Sequence, residues 1–161
     1  MIEHPFYERT KAIFIGINQY EKMQHLSGSV NDAIEMKKVF DSLGFESLDP
    51  LLNKNATKRG IEEYFEELRK KLLGKDENEI EENKDSLVVI FMSGHGGENK
   101  KGNQPYYYFC PHDFDQQNFF PTSIDLLGLT NKIRAFNCKH VLFILDCCFS
   151  GGIFSKLVTS P

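Results

Sequence analysis

The sequence predicts a three-layer α/β/α sandwich built on a mostly parallel sheet. Three short, continuous apolar runs, Ala12 to Ile17, Leu87 to Met92 and Val141 to Leu145, have the form of strands buried on both faces. Segments of helical periodicity separate them, and this alternation places consecutive strands parallel through right-handed crossovers. At 161 residues and 18.5 kDa the chain has room for one domain, and a domain of this size builds its own core.

The elements follow in order. After the first run, Ala33, Met36, Phe40 and Leu43 fall on one helix face, and Gly44 marks the stop. Glu46 to Leu52 is a weaker strand candidate, and Pro50 within it suits a sheet edge. Ile61, Tyr64, Phe65, Leu68 and Leu72 make a cleaner apolar stripe, entered at Thr57 and ended at Gly74. The acidic stretch 75–84 has nothing to bury and reads as a surface loop. Pro105 to Pro111, with three tyrosines in a row, reads as a surface hairpin and not as a sheet strand. Ile124 to Phe136 is a third, shorter helix. The expected domain spans 1–161, with 1–10 as an N-terminal extension and 153–161 as a tail.

Composition excludes several functions. Nineteen basic against 23 acidic side chains give a net charge of −4 without a basic run, so nucleic-acid binding is not expected. No run of about 18 apolar residues is present to span a membrane, and the polar N-terminus is unlike a signal peptide. The four cysteines form no CxxC pair and no zinc spacing. They read as thiols in a reducing, cytoplasmic compartment.

Parallel sheets bind ligands at the carboxyl ends of their strands. Ser93-Gly94-His95-Gly96-Gly97 follows the second run, and Asp146-Cys147-Cys148-Phe149-Ser150-Gly151-Gly152 follows the third. Ser27-Gly28-Ser29-Val30-Asn31-Asp32 opens the first helix after a loop. A cysteine beside an imidazole is a nucleophile, because the imidazole makes the thiolate accessible near neutral pH. The glycines around His95 free the Gly96 amide to face a developing oxyanion. His95 precedes Cys148 by 53 positions, against about 50 in caspase-type enzymes.

These motifs carry a resemblance. Ser-Gly-His-Gly at 93–96 and Asp-Cys-Cys-Phe-Ser-Gly at 146–151 are similar to the histidine and cysteine motifs of the caspase-like cysteine peptidases, most closely of their metacaspase and bacterial members. Lys11-Ala-Ile-Phe-Ile-Gly-Ile-Asn-Gln-Tyr20 and Gly28-Ser-Val-Asn-Asp32 resemble the first strand and helix entry. The resemblance implies Cys148 as nucleophile, since Cys147 falls on the family's serine and is expected to be an inert packing thiol. It implies His95 as general base and later acid, and the amides of Gly96 and Cys148 as the oxyanion hole. Metacaspases read a basic residue before the scissile bond with acidic side chains. Asp32 and Asp146 stand at those positions, with Ser29 and Ser93 beside them, and no arginine stands nearby at 25–29 to read an aspartate. A polypeptide cut after Arg or Lys is the expected substrate.

Each of these residues also has a plainer reading. Asp32 would offset the dipole of its helix, Ser29 with Asp32 imitates a capping box, and Asp146 would brace its loop. His112 and His140 read as packing residues, and Lys156 stands where relatives are processed. Calcium-dependent members carry clustered aspartates after the histidine motif. Here that stretch is Glu98-Asn-Lys-Lys-Gly-Asn-Gln, with only Asp113 and Asp115 beyond, so the residues disfavour calcium and suggest no cofactor. The family's catalytic unit also continues past the cysteine loop with further strands, whereas this chain ends 13 residues after Cys148. The last strands of the family fold are therefore expected to be absent, leaving a sheet edge for a small-subunit segment or partner chain. An inactive scaffold docking through that edge is the alternative. A nucleotide-binding domain is disfavoured, because no GxGxxG or Walker pattern follows a strand.

Overall fold

A computed structural model of the chain describes residues 7–73 and 85–147. The acidic loop 75–84 and the tail 153–161 lie outside the described residues. A parallel sheet forms the centre. Strand β1 (Arg9–Gly16) pairs on one side with two short strands, β2 (Glu46–Ser47) and β3 (Leu51–Leu52), and on the other with β4 (Ser86–Ser93). Strand β8 (His140–Asp146) pairs with β4. The weak candidate at 46–52 is thus an edge split around Pro50, and β1 begins inside the expected N-terminal extension.

Successive side chains of a strand point to opposite faces, and β1 divides the core that way. Ile13 and Ile15 join Val88, Ile90 and Met92 under helix α2 (Lys58–Leu73) and helix α4 (Leu126–Arg134). Ala12 and Phe14 join Val89 and Phe91 under helix α1 (Ser29–Ser42). Helices on both faces complete the three layers that the sequence predicts. All five residues of the α2 stripe are buried, each stabilising the fold by roughly 1.5–3 kcal/mol. The Tyr64 hydroxyl also donates to the Asp49 carbonyl at 2.8 Å, fastening α2 to the β2–β3 edge.

Helix α1 ends as Gly44 predicts. Gly44 has φ 87°, its amide donates to the Asp41 carbonyl, and the Phe45 amide reaches back to Phe40, the paired bonds of a Schellman stop. The Phe40 and Phe45 rings meet at 5.0 Å beside it. Leu43, expected on the buried face, sits at the cap and is exposed.

Two expectations need correction. Residues 104–109 are a true strand, β6 (Gln104–Phe109), the middle of a three-stranded antiparallel sheet with β5 (Gly96–Lys101) and β7 (Ile124–Asp125). Tyr106 and Phe109 are buried there. Pro105 is tolerated because it faces Lys100 at a non-hydrogen-bonded pair, next to the two-residue turn at Gly102 (φ 63°). The expected helix 124–136 is shorter at its start. Ile124 pairs with Phe109, and the Asp125 side chain accepts the Leu127 amide as the N-cap of α4. A four-residue helix, α3 (Phe119–Thr122), precedes β7.

Candidate active site

The parallel register lines up the carboxyl ends of the strands. Leu52, Gly16, Ser93 and Asp146 lie side by side across β3, β1, β4 and β8. Ser93 is buried, and its hydroxyl donates to Asp146 Oδ2 at 3.2 Å. The Gly94 amide donates to the Asp146 carbonyl at 3.2 Å. Asp146 itself is exposed. A Cβ on Gly16 would lie 2.4 Å from the Ser29 carbonyl oxygen, so the start of α1 rests directly on this row.

Of the four predicted pocket residues, Ser93 and Asp146 are joined and Ser29 is buried alongside at the helix entry. Asp32 is half-buried in the first turn of α1. Its Oδ2 lies 3.3 Å from where a Cβ on Gly28 would sit, so its carboxylate turns to the N-terminus of its own helix. No hydrogen bond joins Asp32 to the other three among the described residues. The expected capping box does not form. Gly28 is the N-cap residue and Ser29 is already helical, so no side-chain cap is made.

His95 lies between β4 and β5, half-buried. Its Nε2 is 2.9 Å from the Gln24 carbonyl. A carbonyl only accepts, so Nε2 carries a proton, and in the matching neutral tautomer the lone pair is on Nδ1. The His95 amide donates to the Tyr20 hydroxyl at 2.7 Å, and the two rings meet at 4.9 Å. Burial pushes the Tyr20 hydroxyl upward, so it stays neutral as an acceptor. The His95 carbonyl accepts the Cys110 amide at 2.8 Å.

The hairpin ladder also orients Gly96. Lys101 and Gln104 close a two-residue turn, and pairing alternates from there, so Gly96 and Phe109 form a non-hydrogen-bonded pair. The Gly96 N–H consequently points out of the hairpin. A Cβ at Gly96 would lie 2.7 Å from Cys147 Sγ, so Cys147, the residue bonded to Cys148, packs against the residue after His95. Cys147 is partly buried and packs against the core under α2 and α4. Cys148, Phe149 and Lys156 lie outside the described residues.

His112 has a structural task. Its Nδ1 donates to the Gln19 carbonyl at 2.6 Å, and its amide donates to the Ala56 carbonyl. His140 begins β8 and its Nδ1 lies 3.1 Å from the Tyr7 hydroxyl. Asp113 Oδ1 accepts the Lys58 amide, and Asp115 pairs with Lys22 at 2.6 Å and accepts the Gln117 amide. Among the described residues no three His, Cys, Asp or Glu side chains converge as metal ligands. A cavity of about 600 Å³ between α2, α4 and β6, lined by Ile61, Phe65, Tyr106, Leu129 and Phe136, holds none of the predicted site residues.

Sequence reasoning missed Tyr20, Gln24 and Asn53. Tyr20 closes the first-strand motif, which is the signal that marks it. Asn53 adopts φ 45°, and its Oδ1 accepts the amides of Asn18 and Gln19, shaping the loop that carries Tyr20. Gln24 acts through its carbonyl, which every residue has, so no side-chain pattern announces it.

The arrangement presents an oriented imidazole, an outward amide and an exposed carboxylate at one sheet edge. The sequence model of the caspase domain, peptidase C14, matches residues 9–160. No curated protein matches the chain. Among the described residues no helix is long and apolar enough to cross a membrane.

Proposed function

The chain belongs to the caspase-domain family of cysteine peptidases, and from that premise we propose that it is an endopeptidase cutting after Arg or Lys through Cys148 and His95. The observation that carries this reading is the state of His95. With Nε2–H committed to the Gln24 carbonyl, Nδ1 is the available base. His95 takes the Cys148 thiol proton, and the thiolate attacks the scissile carbonyl. The amides of Gly96 and Cys148 stabilise the oxyanion. His95 then protonates the departing amine, leaving a thioester. Finally, His95 deprotonates water, which attacks the thioester and releases the acid and the thiol.

Asp146, joined to Ser93, holds the Arg or Lys side chain, and Ser29 and Asp32 complete the pocket from the first turn of α1. The Ser93–Asp146 bond and the exposure of Asp146 support that assignment. The reaction as written invokes no cofactor. The unpaired thiols Cys110 and Cys138 suit the cytoplasm.

Peptides with Arg, Lys or Asp before a reporter group test the assignment. Turnover of the Arg and Lys peptides is expected from the wild type and Cys147→Ala, and none from Cys148→Ala. Asp146→Asn should raise KM for the Arg peptide about tenfold or more. Turnover of the Asp peptide alone overturns the pocket. A second reading, an inactive scaffold that needs a small-subunit segment or partner chain, is favoured by the exposure of Val141 and Leu142 on β8. It is adopted if no form turns over and labelling shows no preference for Cys148.

A further inference from the structure

The amide and the imidazole of His95 are both held by one segment, the loop 17–28 between β1 and α1. That loop makes three separate contacts with His95. The Tyr20 hydroxyl accepts the His95 amide at 2.7 Å, the Tyr20 ring meets the imidazole at 4.9 Å and 49°, and the Gln24 carbonyl receives Nε2. Tyr20 is only 3% exposed, so its ring would be as well buried without the hydroxyl. The neighbouring residue makes the hydroxyl's approach specific. A Cβ on Gly94 would lie 2.7 Å from the Tyr20 oxygen, so the bond to His95 depends on a glycine at 94.

The loop is itself held from several directions. Asn53 Oδ1 takes the amides of Asn18 and Gln19, and Asn18 Oδ1 takes the Val30 amide. The Leu26 amide donates to the Asn18 carbonyl, and His112 donates to that of Gln19. A segment so constrained transmits its position to whatever it touches.

We infer that Tyr20 is a positioning residue for the peptidase reaction, its hydroxyl setting the His95 main chain and its ring the tilt of the imidazole. The inference rests on His95 being the general base. Phenylalanine at 20 would supply the packing and leave the His95 amide without its acceptor.

The test uses Tyr20→Phe in the full chain, with the Arg peptide as substrate. The rate of Cys148 alkylation by iodoacetamide is followed against pH, read at Cys148 by peptide fragmentation. In Tyr20→Phe, kcat is expected to fall about five- to thirtyfold with KM within about twofold. The apparent pKa of Cys148 alkylation should rise part of the way to that of His95→Ala. Gly94→Ala should act in the same direction and cost less in the Tyr20→Phe background, where the hydroxyl it displaces is gone. A lowered Tm with kcat and the alkylation profile unchanged in both single variants overturns the inference and leaves His95 as the base. An alkylation profile that is the same in His95→Ala as in the wild type removes the base assignment, and the role of Tyr20 falls with it.

Discussion

Cys110 shows at the scale of one residue how this site separates thiols. Its amide supports the His95 carbonyl, while its thiol is buried in the core. Burial, with a smaller push from nearby Cys147, raises that thiol to about 12. The folded chain therefore keeps a proton that the unfolded chain releases from about pH 8.5 upward. The stabilisation is complete below that pH and is lost as pH rises toward the folded value, at about 1.4 kcal/mol per pH unit. The buried hydroxyls of Tyr20 and Tyr64, also raised, add to the loss at higher pH. Urea unfolding should show the wild type losing about 1–2 kcal/mol relative to Cys110→Ala between pH 8.5 and 10. Parallel pH profiles for the two proteins would contradict it. The same burial keeps Cys110 unreactive toward alkylation at neutral pH.

At the scale of an element, α1 is placed by one missing side chain. Gly16 ends β1 where the helix crosses it, and a Cβ there would meet the Ser29 carbonyl at 2.4 Å and Ala33 Cβ at 2.8 Å. Neither atom moves without the helix. Gly16→Ala is therefore expected to cost about 1–3 kcal/mol through overpacking. It should also lift Ser29 and Asp32 away from the Ser93–Asp146 pair. Thermal unfolding reads the first effect, and a raised KM for the Arg peptide reads the second. An alanine accommodated with unchanged Tm and KM would mean that α1 does not rest on Gly16.

The whole molecule is covered unevenly. The centre of its sheet is sealed by α1 on one face and by α2 and α4 on the other, but β8 pairs only with β4 among the described residues. Val141 and Leu142 are 37% and 46% exposed on this edge. An unpaired apolar edge is a template for association. Leu142→Lys should lower concentration-dependent self-association in sedimentation without lowering Tm, since an exposed side chain contributes little to the fold. Equal association of the two proteins would show that the edge is not the contact.

Much of this was legible in the order of residues. Continuous apolar runs identify β1, β4 and β8, because strands buried on both faces have no polar side. The α2 stripe and Gly44 identify helices for equally local reasons. The gathering of polar and glycine-rich residues after each apolar run is likewise a feature of local sequence. The local pattern failed at 104–109 and 124–125, where pairing with the neighbouring hairpin strand and across β6–β7 outweighs the prolines and the helical spacing. The state of His95 likewise needed the fold. Its Nε2 is held by a carbonyl 71 positions away and its backbone by a hydroxyl 75 positions away. The sequence by itself determined which groups this protein possesses and at which strand end each stands. Only the tertiary structure decided how they are oriented, because long-range hydrogen bonds to main-chain groups leave no mark on residue type.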